Sequence, residues 1–288
     1  MMYELWIYLT LALVAASCAL MGSVLLLRRM SMLGDAISHS VLLGLVLTYL
    51  LIGYENLSAM LLGATLVGLF TAWLSEWIHQ QAHFSADASL GFVFTWLFAI
   101  AVILISLFAE QTQLDQDHVL FGEAAFIPFT PFILFEVDLG PRGFWLALLV
   151  FLLNVILLAI AYERIKLTSF QLSFALSLGI QAGIWHYLVM ALVSITAVSS
   201  FDAVGAILVV ALLVLPSASA YLVATRLLPF FAYALGYAQL AVLMGLGFAY
   251  WLDTVISASI AVAAAVLLML TLVIQKWRCC RPTHSSPM

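Results

Sequence analysis

Residues 28–44 read RRMSMLGDAISHSVLLG. Two arginines close one apolar run, and the next run holds a carboxylate, Asp35, and an imidazole, His39. Both stand in a segment otherwise fit for a lipid bilayer. Four residues apart, they share one face of a helix, with Ser31 and Ser38 near that face. If the helix is continuous from Arg29, His39 lies ten residues on, about 15 Å into the membrane. A charged Asp at that depth costs several kcal/mol unless it is paired, hydrated or ligating. Carboxylate oxygen with imidazole nitrogen is a donor set for a first-row divalent cation. The same pair also serves as an interhelical hydrogen bond, and the D-x-x-x-H spacing does not choose between the two.

Outward from this stretch, the chain is 66% hydrophobic and 8% charged over 288 residues, with mean hydropathy +1.20. Soluble domains carry roughly 25% charged residues, and a spanning helix needs ~20 apolar residues. The sequence therefore predicts an all-α polytopic membrane protein. Spans are expected near 5–27, 33–53, 57–78, 88–108, 143–162, 182–200, 203–222, 229–252 and 255–275. That makes nine, or eight if one is re-entrant. The first run lacks a basic n-region and reads as a retained span rather than a cleaved signal. Lys and Arg favour cytoplasmic loops. With the N-terminus outside, every Lys and Arg except Arg142 falls inside, which predicts a cytoplasmic C-terminus. The net charge of −5 and the absence of a basic patch exclude a nucleic-acid partner. Residues 1–278 read as one transmembrane domain and 279–288 as a short cytoplasmic tail.

The longest loop, 109–142, holds six of the fourteen acids, among them Glu123. It is expected outside, where it would attract cations or a basic partner surface or simply stay solvated. GEAAFIPFTPF within it fits a short surface helix. Asp87 is placed to cap the fourth span. Asp202 and Asp253 fall at span ends and read as interfacial. His186, beside Trp185 and Tyr187, fits an aromatic belt. His79 and His83 have ligand spacing but lie in a loop and read as surface residues. Pro216 removes a helical hydrogen bond, and the small residues at 217–220 permit close approach of a neighbour, so this helix is structural or gate-forming. Cys18, Cys279 and Cys280 form neither a disulfide framework nor a zinc motif; Cys18 reads as a small apolar filler.

LTSFQLSFALSLG, 167–179, falls inside by the charge rule. Leu167, Phe170, Phe174 and Leu178 recur at helical spacing, and Ser169, Ser173 and Ser177 form a separate stripe. A short amphipathic helix of this kind lies in the headgroups or enters a groove on a soluble partner. The scarcity of Lys and Arg favours the partner.

Five stretches, in chain order, resemble the metal-type permeases of ATP-binding-cassette importers, the ABC-3 type. LRRMSMLGDAISHSVLLG resembles RRM-x-[FL]-LGDALSHA-x-LPG. SADASLGFVFTWLFAIAVIL resembles EDTAIGIVFSLGFALGL. LDQDHVLFGE resembles DLxSYLFGD. YERIKLTSFQLSFALSLGI resembles the region around SFDPELARALGL. VGAILVVALLVLPSASAYLVATRL resembles VGxLLVVALLIIPAATARLL.

The resemblance implies a type II ABC importer-like permease that carries manganese, zinc or ferrous iron inward across a bacterial cytoplasmic membrane. The metal is cargo, and no cofactor is bound permanently. Implied partners are cytoplasmic ABC ATPases, an extracytoplasmic metal-binding protein, a second permease chain (identical or paralogous) and membrane lipid. The resemblance implies that Asp35 and His39 contact the metal. It further implies that Phe170, Gln171, Phe174, Ala175, Leu178 and Gly179 couple the chain to the ATPase. Pro216 remains a kink or gate candidate, and Asp87, Glu123 and Asp202 are secondary polar candidates. Three charged coupling residues of the family pattern are replaced by Gln171, Ser173 and Leu176, and its prolines by Leu172 and Leu43. Docking is therefore expected to lean on apolar contact. The chain contains no GxxxxGK[ST] and is not expected to hydrolyse ATP itself. An ATP-independent carrier using the same Asp–His pair is the rival reading; an intramembrane aspartyl protease would need Asp202 deep in the membrane.

Overall fold

The structure is a computed structural model that describes residues 2–54, 57–82, 84–108, 131–134 and 137–279. Its helices are α1 (Met2–Leu27), α2 (Leu33–Ile52), α3 (Leu57–Ala82), α4 (Ala86–Phe108), α5 (Arg142–Phe170), α6 (Leu172–Ser177), α7 (Ala182–Val204), α8 (Ala206–Val223), α9 (Leu227–Leu252) and α10 (Ile256–Cys279). Among the described residues, nine of these are long and apolar enough to cross a membrane; α6 is not. The nine expected spans are all present, with α5 reaching further than expected, to Phe170.

Before α5, strands β1 (Pro131–Leu134) and β2 (Val137–Pro141) pair antiparallel, Ile133 opposite Asp138. This hairpin was not foreseen, because a four-residue strand leaves little periodicity to read. The start of α5 holds the start of α1: Trp6 meets Phe144 edge-on, with ring centroids 5.2 Å apart. The rest of the expected surface helix, and with it Glu123, lies outside the described residues.

α1 is apolar on every side, which suits a helix enclosed by others. It packs against α5, α7, α8 and α9. One flank is the bundle of α2, α3 and α4; the other is α8, α9 and α10. Lipid gives apolar side chains no reason to leave it, so helix association rests on close packing and interhelical hydrogen bonds. The α1–α8 crossing shows both. A side chain on Gly22 would run into the Leu213 carbonyl. The Ser23 and Ser217 hydroxyls both donate to the Ala19 carbonyl, at 2.7 and 3.2 Å. Ser217, Ser219 and Ala220 are buried, as expected for the small residues after Pro216. Elsewhere, Asn154 of α5 donates to Thr196 of α7 at 2.8 Å, and Gln239 of α9 to the Ala12 carbonyl at 2.9 Å. Cys18 fills the core with its sulfur 3.8 Å from the Ser200 hydroxyl.

Candidate metal pathway

The chain between α1 and α2 is a tight turn rather than a helix. Met30 N–H donates to Leu25 O and Arg29 N–H to Leu26 O, at 3.0 and 3.1 Å. These are the two bonds of a Schellman cap. The left-handed position that usually takes glycine is filled by Arg29, with φ 58°. Leu33 N–H then donates to Met30 O at 3.0 Å, and α2 begins. A helix continuous from Arg29 to His39 is therefore absent. His39 is the seventh residue of α2, about 9 Å along it rather than ~15 Å from Arg29.

The early start of α2 also explains how the chain holds an acid here. Asp35 sits in the first turn, where the unpaired N–H groups and the helix dipole favour negative charge. Its Oδ1 lies 3.6 Å from His39 Nε2, and the two side chains are 37% and 41% exposed. The imidazole is walled by α4: it stacks on Phe94 at 5.4 Å and meets Phe98 edge-on at 5.7 Å. Ser38 and Ser40 spend their hydroxyls on Gly34 O and Ile37 O. The pair thus presents one carboxylate and one imidazole at a partly exposed face of α2. Among the described residues, no group of three His, Cys, Asp or Glu side chains comes together.

The coupling segment is divided where one helix was expected over 167–179. α5 continues to Phe170, Gln171 takes φ −139° and ψ 65°, and α6 follows. Gly179, at φ 74°, closes α6 with a second Schellman pair: Ile180 N–H to Ala175 O and Gly179 N–H to Leu176 O, both 3.0 Å. Ala175 is fully buried and anchors α6, while Phe170, Phe174 and Leu178 are each more than half exposed.

The remaining candidates scatter. Pro216 lies inside α8, which runs unbroken past it. Asp87 is exposed in the first turn of α4, but the cap is Ser85, whose hydroxyl accepts from Ala88 N–H at 3.3 Å. The shorter Ser side chain at the position just before the helix reaches that N–H. Asp202 lies in the last turn of α7, three residues before the Gly205 junction with α8. Asp253 is the exposed left-handed residue that ends α9. His79 closes the α3–α4 connection on Phe84 O at 2.6 Å; His83 lies outside the described residues.

One cluster escaped the sequence reading. His186, read from its neighbours Trp185 and Tyr187 as an aromatic-belt residue, makes polar contacts to two other elements. Its Nε2 lies 3.3 Å from Glu76 Oε2 of α3, and its Nδ1 lies 3.4 Å from Arg28 Nη1. Guanidinium only donates, so Nδ1 accepts and Nε2–H donates to Glu76. Gln80 donates to the other Glu76 oxygen at 2.8 Å. Arg28 Nη2 donates to Thr168 Oγ1 of α5 at 3.1 Å, and Nη1 reaches Trp185 O at 3.5 Å. Arg164 covers the Trp185 ring at 5.0 Å. Burial pushes Arg28 down to about 10, which leaves it charged. Beside the cluster lies a cavity of about 510 Å³ lined by Arg28, Glu76, Thr168, Ser169 and His186. The only sequence signal was Glu76 inside a span; its partner is 110 residues away.

The chain matches the family model described as the ABC 3 transport family over residues 2–275. It is 44% identical over 266 residues to the "Manganese transport system membrane protein MntD" of Bacillus subtilis, covering 92% of this chain and 90% of that one. It is 38% identical over 203 residues to the "Zinc transport system membrane protein TroD" of Treponema pallidum, covering 70% and 55%. Its fold matches the solved structure of PsaBC from Streptococcus pneumoniae in complex with Fab, with TM-score 0.77 and 26% identity over 94% of this chain and 91% of that one. By the family model and by identity along nearly its whole length, the chain belongs to the ABC 3 transport family.

Proposed function

We propose that this chain is the membrane-spanning permease of an ATP-binding-cassette importer for divalent metal ions, with manganese as its principal cargo. The observation that carries the reading is the Asp35–His39 pair, two half-exposed donors within a spanning helix. Family membership and the manganese and zinc relatives support it. Carboxylate with imidazole suits manganese, zinc and ferrous iron; the 44% relative carries manganese in its name.

One chain offers the ion two side chains. A second permease chain with its pair facing the first would supply two carboxylates and two imidazoles, a fuller shell for a hard divalent ion. The phenyl walls of Phe94 and Phe98 limit how far His39 can turn away from that shell.

Energy comes from ATPases docked on α6. Phe170, Phe174 and Leu178 present exposed apolar surface at the end of the bundle that carries Arg28, Arg164 and Lys166. That end faces the cytoplasm by the distribution of Lys and Arg, and the protein resides in a bacterial inner membrane. A metal-binding protein delivers the ion at the opposite face. The test is manganese accumulation in proteoliposomes that contain the permease and its ATPase, supplied with the metal-binding protein on the opposite face, with and without ATP. Accumulation that depends on ATP supports the reading; accumulation driven by an ion gradient alone overturns it.

A further inference from the structure

Arg28 joins two regions that transport would have to coordinate. Its Nη2 grips Thr168, three residues before the Gln171 break that opens α6. Its Nη1 reaches Trp185 O and His186 Nδ1 near the start of α7. On its other side the chain passes through the Schellman turn into α2, and Asp35 follows seven residues after Arg28. That turn is closed by backbone bonds, and Met30 within it is nearly buried. It therefore transfers displacement of Arg28 to the start of α2 instead of absorbing it.

The chemistry of the contact suits a joint that is made and remade. Among the described residues, no carboxylate lies within 4 Å of Arg28. Its acceptors are a hydroxyl, a carbonyl and an imidazole, all neutral, at 3.1–3.5 Å. Its charge meets Glu76 only through the His186 ring. Arg28 Nε and Ser169 Oγ are buried without a partner among the described residues, and both residues line the cavity of about 510 Å³. Space and spare hydrogen-bonding capacity thus adjoin the joint, where the guanidinium can shift and find water. A direct Arg–carboxylate fork would instead fix it.

We propose that Arg28 is a positioning residue that transmits movement of the α6 segment, through Thr168, to the helix bearing Asp35 and His39. The proposal rests on the reading of α6 as the ATPase dock and of the pair as the cation's contact. Lysine cannot replace arginine here, because one ammonium cannot address Thr168 and the start of α7 with the same planar fork.

The test measures manganese uptake and ATP hydrolysis on the same proteoliposomes of permease with its ATPase, with the metal-binding protein supplied on the opposite face. Arg28→Lys and Thr168→Val are each expected to lower manganese carried per ATP at least fivefold while the ATPase still co-purifies. The double variant is expected to be no worse than Arg28→Lys alone, since both remove one contact. An unchanged ratio in both single variants overturns the proposal, as does a double variant whose losses multiply. If Arg28→Lys does not assemble, Thr168→Val decides alone: a fivefold fall supports the joint and a wild-type ratio overturns it. A wild-type complex that shows no ATP-dependent uptake overturns the functional reading and this proposal together. A working wild type with unchanged variants overturns the joint only.

Discussion

His39 Nε2 lies 3.6 Å from Asp35 Oδ1, one helical turn away, with the imidazole stacked on Phe94. The donor pair is therefore set by one helix and aimed by another. Asp35→Asn keeps the shape and removes the charge. It is expected to weaken manganese binding to the detergent-purified protein at least tenfold, ~1.4 kcal/mol. Phe94→Ala keeps both donors and frees the ring. Loss of an aromatic contact worth ~0.5–1.5 kcal/mol predicts a milder weakening, roughly two- to tenfold. Equilibrium binding on both variants checks the ranking; equal affinities for Asp35→Asn and wild type would remove the pair from the path.

Phe170 and Phe174 stand on either side of the Gln171 break, both exposed. Replacing either with Asp puts a charge in the proposed apolar dock. Losing a buried aromatic anchor costs ~2 kcal/mol or more, so ATPase retention in a pull-down is expected to fall about thirtyfold, with the permease itself folded. Full retention by both variants would make this segment a lipid-lying helix.

The α1–α8 crossing has no room for a side chain at Gly22. Gly22→Val is expected to cost about 1–3 kcal/mol by overpacking and to lower the unfolding temperature in detergent. Gly91, in α4, faces open space. Gly91→Ala there is expected to be neutral or stabilising by roughly 0.5–1 kcal/mol. The two thermal scans side by side separate crowding at one site from a general intolerance of glycine replacement.

Arg29 occupies a left-handed position at φ 58°, which costs a residue with a Cβ roughly 1 kcal/mol or more. Arg29→Gly is expected to raise the unfolding temperature, and Arg29→Val to lower it. A Gly variant less stable than wild type would mean that the guanidinium contributes more than the backbone loses.

The spans were legible because each needs a run of ~20 apolar residues and little else. The Asp35–His39 pairing was legible because i, i+4 spacing brings two side chains together without tertiary information. The connection at 28–32 was legible as the gap between the first two apolar runs, but its geometry was not: the cap uses Arg29 where a left-handed position usually takes Gly. The division at Gln171 was hidden for a related reason: a residue with acceptable helix propensity sits at a break that tertiary packing imposes, with Ala175 drawn into the interior. The Arg28–His186–Glu76 cluster joins the α1–α2 turn to α7 and α3 across long separations, and nothing in local spacing signals such a contact. The partners of His186 were hidden for that reason, its neighbours Trp185 and Tyr187 giving no sign of the contacts to Arg28 and Glu76.

The most direct test of Asp35 and His39 as the cation's path is manganese uptake into proteoliposomes carrying the permease with its ATPase, with the metal-binding protein supplied on the opposite face, wild type against Asp35→Asn/His39→Gln at equal protein density. Wild type is expected to accumulate manganese only when ATP is supplied on the ATPase side. The double variant is expected to fall at least ~tenfold below it, ~1.4 kcal/mol or more, with the ATPase still bound. Uptake by the double variant at the wild-type rate would contradict the assignment of the path, and wild-type uptake without ATP would contradict the importer.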